Sequence, residues 1–319
     1  MNRIALIVPY LNRAKWLPSM LDSLSAQTIM PYEAIFVDNG SVDNSHNIVD
    51  AYIGRLQERG CLAINLTCSR QGAAAARNAG WRISRAEYIY FFDSDDRLSP
   101  NFFEWANQKV NTCQPSELYV IISRILLANG KFISRKHGFS PRACFQIISP
   151  YLTTQTMIIH RSLLEKVGGW NPALKFWDDW ELGYRLLKAS PSIDYDKSHA
   201  WHSLFAHPDS ITGNGHASRS VSILRTLQQV EELINQHPRR DSLDLIALHY
   251  RIHIMAGRLI YESCPEGASN LLKNFPLSPL SPFNKFTCHL LKQYTSHGGR
   301  GAWVIAWGML KIQSILHRK

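Results

Sequence analysis

Residues 87–96 read EYIYFFDSDD, an apolar run that stops on a knot of carboxylates. The run is short, rich in aromatic and β-branched residues and without polar alternation, which predicts a strand buried on both faces. Three carboxylates in four positions repel one another. They become stable when a divalent cation sits between them or when they are solvated in a loop. Asp93 and Asp95 are two apart in an extended segment and so lie on one side of the chain. Both can face a Mg2+ or Mn2+ ion that already holds phosphate oxygens. Asp96 is read either as solvent-facing or as the cap of a helix starting near Pro100.

Working outward from this strand, the first 95 residues repeat strand and helix with short links. Arg3–Pro9, Glu33–Val37 and Leu62–Leu66 read as strands. Lys15–Ala26, Asp43–Leu56 and Gly72–Ser84 read as helices between them. This order predicts an α/β fold with a mostly parallel central sheet flanked by helices. Ligands of such sheets bind beyond the carboxyl ends of the strands. No GxGxxG follows the first strand, so a dinucleotide fold is not expected. Further on, 99–112 reads as helix, Glu117–Leu127 as strand, Phe145–Ile159 as strand and turn, and Asp178–Lys188 as helix. From 217 the pattern becomes helical, with helices expected at 218–236, 242–262, 286–293 and 302–317.

The chain has 319 residues, 45% of them hydrophobic, and a net charge of +10. That excludes a disulfide-stapled miniprotein and a disordered tail. Residues 1–216 hold 22 Lys and Arg against 19 Asp and Glu, whereas 217–319 hold 13 against 6. A nearly neutral first part with acidic loops argues against nucleic acid as the partner of the basic surplus. Six scattered cysteines with no CxxC pair read as free thiols of a reducing compartment. The opening apolar stretch reads as a strand and not as a signal peptide, and no segment is apolar enough to cross a bilayer. Gly301–Leu316 carries Trp303 and Trp307 and runs into a basic end. It reads as a helix that lies in a membrane interface or packs on the body.

Four other places carry chemistry. The second strand ends in Asp38-Asn39-Gly40-Ser41. Side-chain acceptors there can take the N–H of a base or ribose hydroxyls, or Asp38 can close an Asx turn around Gly40. Gln71-Gly72 opens an alanine-rich helix whose Arg77 can meet a diphosphate or a neighbouring carboxylate. Trp177-Asp178-Asp179-Trp180-Glu181 is a second acidic knot. A carboxylate walled by tryptophans is partly desolvated, which makes it a better general base, and the rings can stack on a sugar. His199, His202 and His207 lie in a polar stretch, where His202 and His207 are candidates for a metal or phosphate contact and Asp209 reads as a turn residue.

Taken together, the segments IALIVPYLNRAKWLPSMLDSLSAQ, FVDNGSVDNS, QGAAAARNAG, YIYFFDSDDRLSP and GGWNPALKFWDDWELGYRLL resemble the family-2 glycosyltransferases. These are inverting, GT-A-fold enzymes of bacterial polysaccharide and lipopolysaccharide synthesis. The resemblance runs over about residues 2–212. It implies that Pro9, Tyr10, Asn12 and Arg13 border a nucleotide pocket and that Asp38 reads the base. Asn39 stands where relatives often have a second Asp. It further implies donor contacts from Gln71, Gly72, Arg77, Asp93 and Ser94. Asp95 becomes the direct metal ligand, with Asp93 nearer the ribose and His207 near the donor diphosphate and metal. The base falls on Asp179, with Asp178 where the family has Glu. Trp177, Asp178 and Trp180 are then expected on the acceptor side.

The implied reaction moves a sugar from a nucleoside-diphosphate donor to a hydroxyl of a saccharide or lipid-linked saccharide, with Mg2+ or Mn2+ as cofactor. The expected organisation is a GT-A catalytic domain over 1–216, its nucleotide-sugar half about 1–98 and its acceptor half about 99–216. A helical region over 217–319 would contact an anionic membrane or the acceptor. The expected location is cytoplasmic, at the inner face of the membrane. Two other readings share these features: a nucleotidyltransferase acting on sugar phosphates, and a non-catalytic nucleotide-sugar-binding scaffold. The first would want glycines after the first strand, which VPYLNRAKW lacks. The second is disfavoured by the presence of Asp93, Asp95 and Asp179.

Overall fold

Ile4–Tyr10 (β1) is a strand in which every residue is buried, as its unbroken apolar run requires. The computed structural model describes residues 3–127, 131–134, 138–205, 215–238 and 241–316. These fall into two compact units. One comprises Met1–Phe139, Leu152–Lys175 and Ala189–His207, and the other Ser140–Tyr151, Phe176–Lys188 and Pro208–Lys319.

In the first unit β1 is followed by α1 (Leu17–Ser25), β2 (Glu33–Asp38), α2 (Ser45–Glu58), β3 (Leu62–Thr67), α3 (Ala73–Ile83) and β4 (Tyr88–Phe91). Then come β5 (Arg97–Leu98), α4 (Phe102–Val110), β6 (Leu118–Leu126) and β7 (Phe132–Ser134). Within the second unit lies α5 (Ala143–Ile148); the first resumes with β8 (Met157–His160) and α6 (Arg161–Lys166). After α7 (Asp178–Lys188) of the second unit, β9 (Ile193–Phe205) completes the sheet.

The described strands form one sheet in the order β3-β2-β1-β4-β8-β6-β9-β5, with β7 on β6. Its first four strands are parallel, as the strand–helix repeat predicts. β8 runs antiparallel to both β4 and β6, and β5 is antiparallel to β9, so the sheet as a whole is mixed. The mostly parallel sheet expected from sequence thus holds for the first half only. Beyond β4 the chain no longer alternates strand with crossover helix, and an antiparallel neighbour needs no such crossover.

The two faces of β1 explain how the sheet is covered. Ile4, Leu6, Val8 and Tyr10 join Leu17, Leu21, Val49 and Phe102 in one core. On the other face Ile7 meets α3. The contact is possible because Gly80 has no side chain: a Cβ there would sit 2.6 Å from Ile7 Cγ2 and 3.1 Å from Val37 Cγ2. Gly80→Leu is therefore expected to destabilise the chain by roughly 1–3 kcal/mol through overpacking. The check is the urea midpoint at unchanged m value; a midpoint at or above that of the parent would contradict this seating of the helix.

The second unit is helical. Beside α5 and α7 it holds α8 (Ser220–Gln236), α9 (Ser242–Tyr261), α10 (Pro265–Asn274), α11 (Pro282–Ser296) and α12 (Ala302–Leu316). The buried helix α9 is its centre and packs against α5, α8, α10, α11 and α12. Tyr184 Oη and Lys188 Nζ of α7 both donate to Asp244 Oδ2 of α9, at 3.0 and 2.9 Å. The start of the stretch Phe145–Ile159, expected as strand and turn, instead belongs to the helix α5, every residue of which is buried. A short apolar run surrounded on all sides has no periodicity to separate helix from strand. Residues 140–151 and 176–188 thus join the C-terminal helices in one unit.

Candidate functional site

The parallel register brings three strand ends together on one edge of the first unit. Tyr10 lies beside Asp38, Asp38 beside Thr67, and Ile7 beside Phe91. The polar residues that follow β1, β2 and β4 therefore share that edge.

At the end of β2 the Asx turn forms. Asp38 Oδ1 accepts the N–H groups of Gly40 and Ser41 at 3.2 and 2.8 Å, with Gly40 at φ +93°. His46 Nδ1, from the first turn of α2, lies 3.0 Å from Asp38 Oδ2. Burial pushes the Asp38 carboxyl up, but the hydrogen bonds from Ser41 and His46 outweigh it and hold the group below its ordinary value. His46 was not singled out in the sequence. Its only signal there is its place one helical start beyond Asp38.

The neighbouring Asn39 is a strut. Its Nδ2 donates to the carbonyls of Cys68 and Arg70, and its Oδ1 accepts from Gly72 N at 2.7 Å. This ties the Gln71-Gly72 segment, exposed and with Gly72 at φ +114°, to the end of β2. Pro9 and Tyr10 are buried, and Tyr10 Oη donates to Asn65. Asn12 is exposed in the left-handed region at φ 51°. Its N–H donates to Ser41 Oγ and its Oδ1 accepts from Val42 N.

Two guanidinium groups attend the carboxylates after β4. Arg77 Nη2 donates to Asp93 Oδ1 at 3.0 Å, and Arg13 Nε lies 4.0 Å from Asp95 Oδ2. Arg77 is buried and lies over Trp170, its guanidinium carbon 4.4 Å from the ring centre. Trp170 is itself fixed by Asn78, whose Nδ2 donates to the Trp170 carbonyl at 2.7 Å while its Oδ1 accepts from Trp170 N at 3.0 Å. Arg77 thus pairs with Asp93, one of the two partners read for it from the sequence.

Asp93 and Asp95 are half-buried and Ser94 is buried. Asp96 neither faces solvent nor caps a helix. It is buried, with Oδ1 accepting from Phe205 N at 2.8 Å and Oδ2 accepting from Gln155 Nε2. Burial, and then the charges of Asp95 and Asp93, push its carboxyl well above the ordinary range.

Among the described residues no group of three or more His, Cys, Asp or Glu is placed to hold a metal ion. A Mg2+-type site needs less than that. Such an ion is commonly held by one or two carboxylates together with substrate phosphates. Asp93 and Asp95 supply that donor set, so the residues present fit a cation that binds together with a diphosphate. His202, a candidate for this role, is buried in β9 with its ring edge-on to Phe92. His199 is exposed and packs edge-on against Trp201. His207 and Asp209 lie outside the described residues.

The second acidic knot belongs to the helical unit. Asp178 Oδ1 accepts from Asp179 N at 3.1 Å, and Asp179 Oδ1 accepts from Trp180 N at 2.8 Å, so both open α7. Trp177, at φ 59°, Asp178 and Asp179 are half-buried; Trp180 is buried and its Nε1 donates to the Gln146 carbonyl. Under this turn lies Arg251 of α9, which the sequence reading missed. Its guanidinium is 4.2 Å from the Trp177 ring and 4.5 Å from the Trp180 ring, and its Nη1 donates to the Ile147 carbonyl at 3.0 Å. Burial pushes Arg251 down to about 9, against the opposing pull of the Asp179 charge. Nothing local in the sequence could have linked positions 179 and 251.

A family model described as glycosyl transferase family 2 matches residues 5–168, about half of the chain. The chain belongs to that family. Glycosyltransferase GlyG of Streptococcus pneumoniae serotype 4 is 36% identical to it over 107 residues, 34% of this chain and 35% of that one. The chain spans between 35% and 61% of the length of three curated relatives that it matches. Among solved structures, S. aureus TarS superposes with a TM-score of 0.68 at 16% identity, over 94% of this family-2 chain and 54% of that one. A shorter TarS chain has been solved in complex with UDP-GlcNAc, with a TM-score of 0.60 at 16% identity over 93% of this chain and 92% of that one. A mannosyltransferase from Pyrobaculum calidifontis, in complex with GDP-Man and Mn2+, gives 0.57 at 15% identity over 99% and 88%. At these identities the structural likeness speaks for the fold alone.

Proposed function

We propose that this chain is an inverting glycosyltransferase of the GT-A type. It moves a sugar from a nucleoside-diphosphate donor to a hydroxyl of a saccharide or lipid-linked saccharide. The observation that carries the reading is the pair Asp93 and Asp95 beyond β4, attended by Arg77 and Arg13, within the segment that the family model matches. The donors named for the two structural neighbours differ in base and sugar and share the nucleoside diphosphate, which is the part such carboxylates would meet through a cation. Residues 1–216 are assigned the catalytic role and 217–319 an accessory one.

In this reading the loops after β1 and β2 border the nucleotide. Asp38 lies on the base side and Asn39 holds Gln71-Gly72 in place. Asp95, with Asp93, would hold Mg2+ or Mn2+, which when bound offsets negative charge on the departing diphosphate. Arg13 adds a positive charge on the same side. Asp179 takes the proton of the acceptor hydroxyl. That oxygen then bonds to the anomeric carbon, and the bond to the diphosphate breaks with its electron pair leaving on the nucleotide. One displacement inverts the configuration. Asp178 and Trp177 are assigned to the acceptor.

Asp95→Ala tests the donor half. Losing a direct ligand should cost at least the ~10–100-fold in metal affinity that losing a ligand's hydrogen-bonding partner does. Calorimetric titration of a nucleotide-sugar panel, with and without Mn2+, should show metal-dependent binding that this variant loses. Equal metal dependence in parent and variant would remove Asp95 from the role.

A further inference from the structure

After Glu266 the chain contains no Asp or Glu, while residues 267–319 carry seven Lys and Arg. Helices α11 and α12 lie in this stretch, and their inner sides are firmly seated. Tyr250 Oη of α9 donates to Asn284 Oδ1 of α11 at 2.6 Å. Gln313 Nε2 of α12 donates to the same oxygen at 2.6 Å and to Tyr250 Oη at 2.9 Å. Gly257 lets α11 approach α9 closely: a Cβ there would lie 2.3 Å from the Lys292 carbonyl oxygen.

The outer sides are unlike those of an ordinary surface helix. On α11, Phe283, Phe286, Leu290 and Tyr294 recur at helical spacing and are 42–68% exposed. On α12, Val304, Ile305, Ile312 and Ile315 are 39–59% exposed, with Gly308 among them. Eight of the nineteen exposed large hydrophobic residues found among the described residues thus fall on two helices. Clustered apolar surface of this kind marks an interaction site. At 15 residues α12 is about 22 Å long, too short for a bilayer core of about 30 Å. No helix among the described residues is long and apolar enough to cross a membrane.

We propose that the outer sides of α11 and α12 form a docking surface for an anionic lipid layer, lying in the interface without spanning it. The charge decides between occupants. A second copy would bring Lys285, Lys292, Arg300 and Lys311 against the same four cations of the first, with no carboxylate on either helix or in the turn between them to answer them. A layer of lipid phosphates supplies the missing anions, while the Phe, Leu, Ile and Val side chains enter the headgroup–acyl boundary. This surface involves none of the residues assigned to transfer, so it stands or falls apart from the catalytic reading.

The test uses the full chain and two vesicle preparations, phosphatidylcholine alone and phosphatidylcholine mixed with phosphatidylglycerol. Co-sedimentation should be at least roughly tenfold stronger with the anionic vesicles and should weaken as salt is raised. The double variant Phe286→Asp with Ile312→Asp changes exposed positions only. It should keep the parent melting curve and lose at least roughly tenfold in vesicle affinity. Failure to sediment with anionic vesicles, or sedimentation that the double variant leaves unchanged, overturns the proposal. A concentration-dependent dimer that the variant dissociates, in a chain that ignores vesicles, overturns it in favour of a second copy.

Discussion

Asp179→Asn is expected to lower kcat by roughly 100- to 10,000-fold, the usual contribution of a positioned general base, with donor affinity nearly unchanged. The substitution suits the question because it removes little else. Asp179 Oδ1 accepts from Trp180 N at 2.8 Å, and an asparagine carbonyl can accept the same bond. Shape and capping at the start of α7 are therefore kept, and what is lost is the negative charge and the ability to hold a proton. Arg251, stacked between Trp177 and Trp180, loses the opposing charge that Asp179 supplies, so a modest loss of stability should accompany the loss of rate. The measurement is a release assay for nucleoside diphosphate under saturating donor and acceptor, paired with calorimetric donor binding. A kcat within about threefold of the parent would mean that another group takes the proton. If donor binding collapsed together with rate, Asp179 would be a structural residue and not a base.

The parts of this site that were legible in the sequence are those whose neighbours lie close in the chain. β1, β2 and β4 are buried on both faces, so each reads as an apolar run, and the polar residue ending each run marks the edge of the sheet. The Asx turn at Asp38 and the opening of α7 at Asp178 are local motifs of the same kind. What was not legible depends on distant chain. Asp96 looked like a surface or capping residue because Gln155 and Phe205, which bury it, are 59 and 109 positions away. The strand β9, IDYDKSHAWHSLF, alternates polar residues and carries three charges, so it read as a polar stretch. Its pairing with β6 puts His202 inside the sheet, fully buried. Arg251 was hidden for the same reason: it sits on a helix read as accessory, yet it lies under the candidate base.

Acidification should destabilise the helical unit well before its carboxylates are titrated. His249 and His253, one turn apart on α9, are both buried. Neither ring nitrogen of His249 has a hydrogen-bond partner among the described residues. Burial, reinforced by the nearby His253, pushes His249 down to about 4. Burial also pushes His253 down to about 4; its bond to the His249 carbonyl works against this, and His289 and Lys292 add to it. Both imidazoles are thus neutral when folded, while in the unfolded chain they protonate near 6.5. Between those values the unfolded state binds up to two more protons than the folded one, so stability falls as pH falls from about 6.5 towards 4 and is unaffected by these groups above that window. The limiting slope is about 2.7 kcal/mol per pH unit, and the loss by pH 4 is roughly 3 kcal/mol for each histidine. Against a typical total of about 5–15 kcal/mol this is enough to bring the chain close to its unfolding midpoint. Urea unfolding followed by helical circular dichroism at a series of pH values gives the slope directly. The double variant His249→Leu with His253→Gln should flatten it across that window while leaving stability near pH 7.5 within about 2 kcal/mol of the parent. A slope of the same size in parent and variant would assign the acid sensitivity to other groups. The two rings would then have to be protonated inside the folded helix bundle, where burial disfavours the charged imidazole and His249 has no acceptor among the described residues.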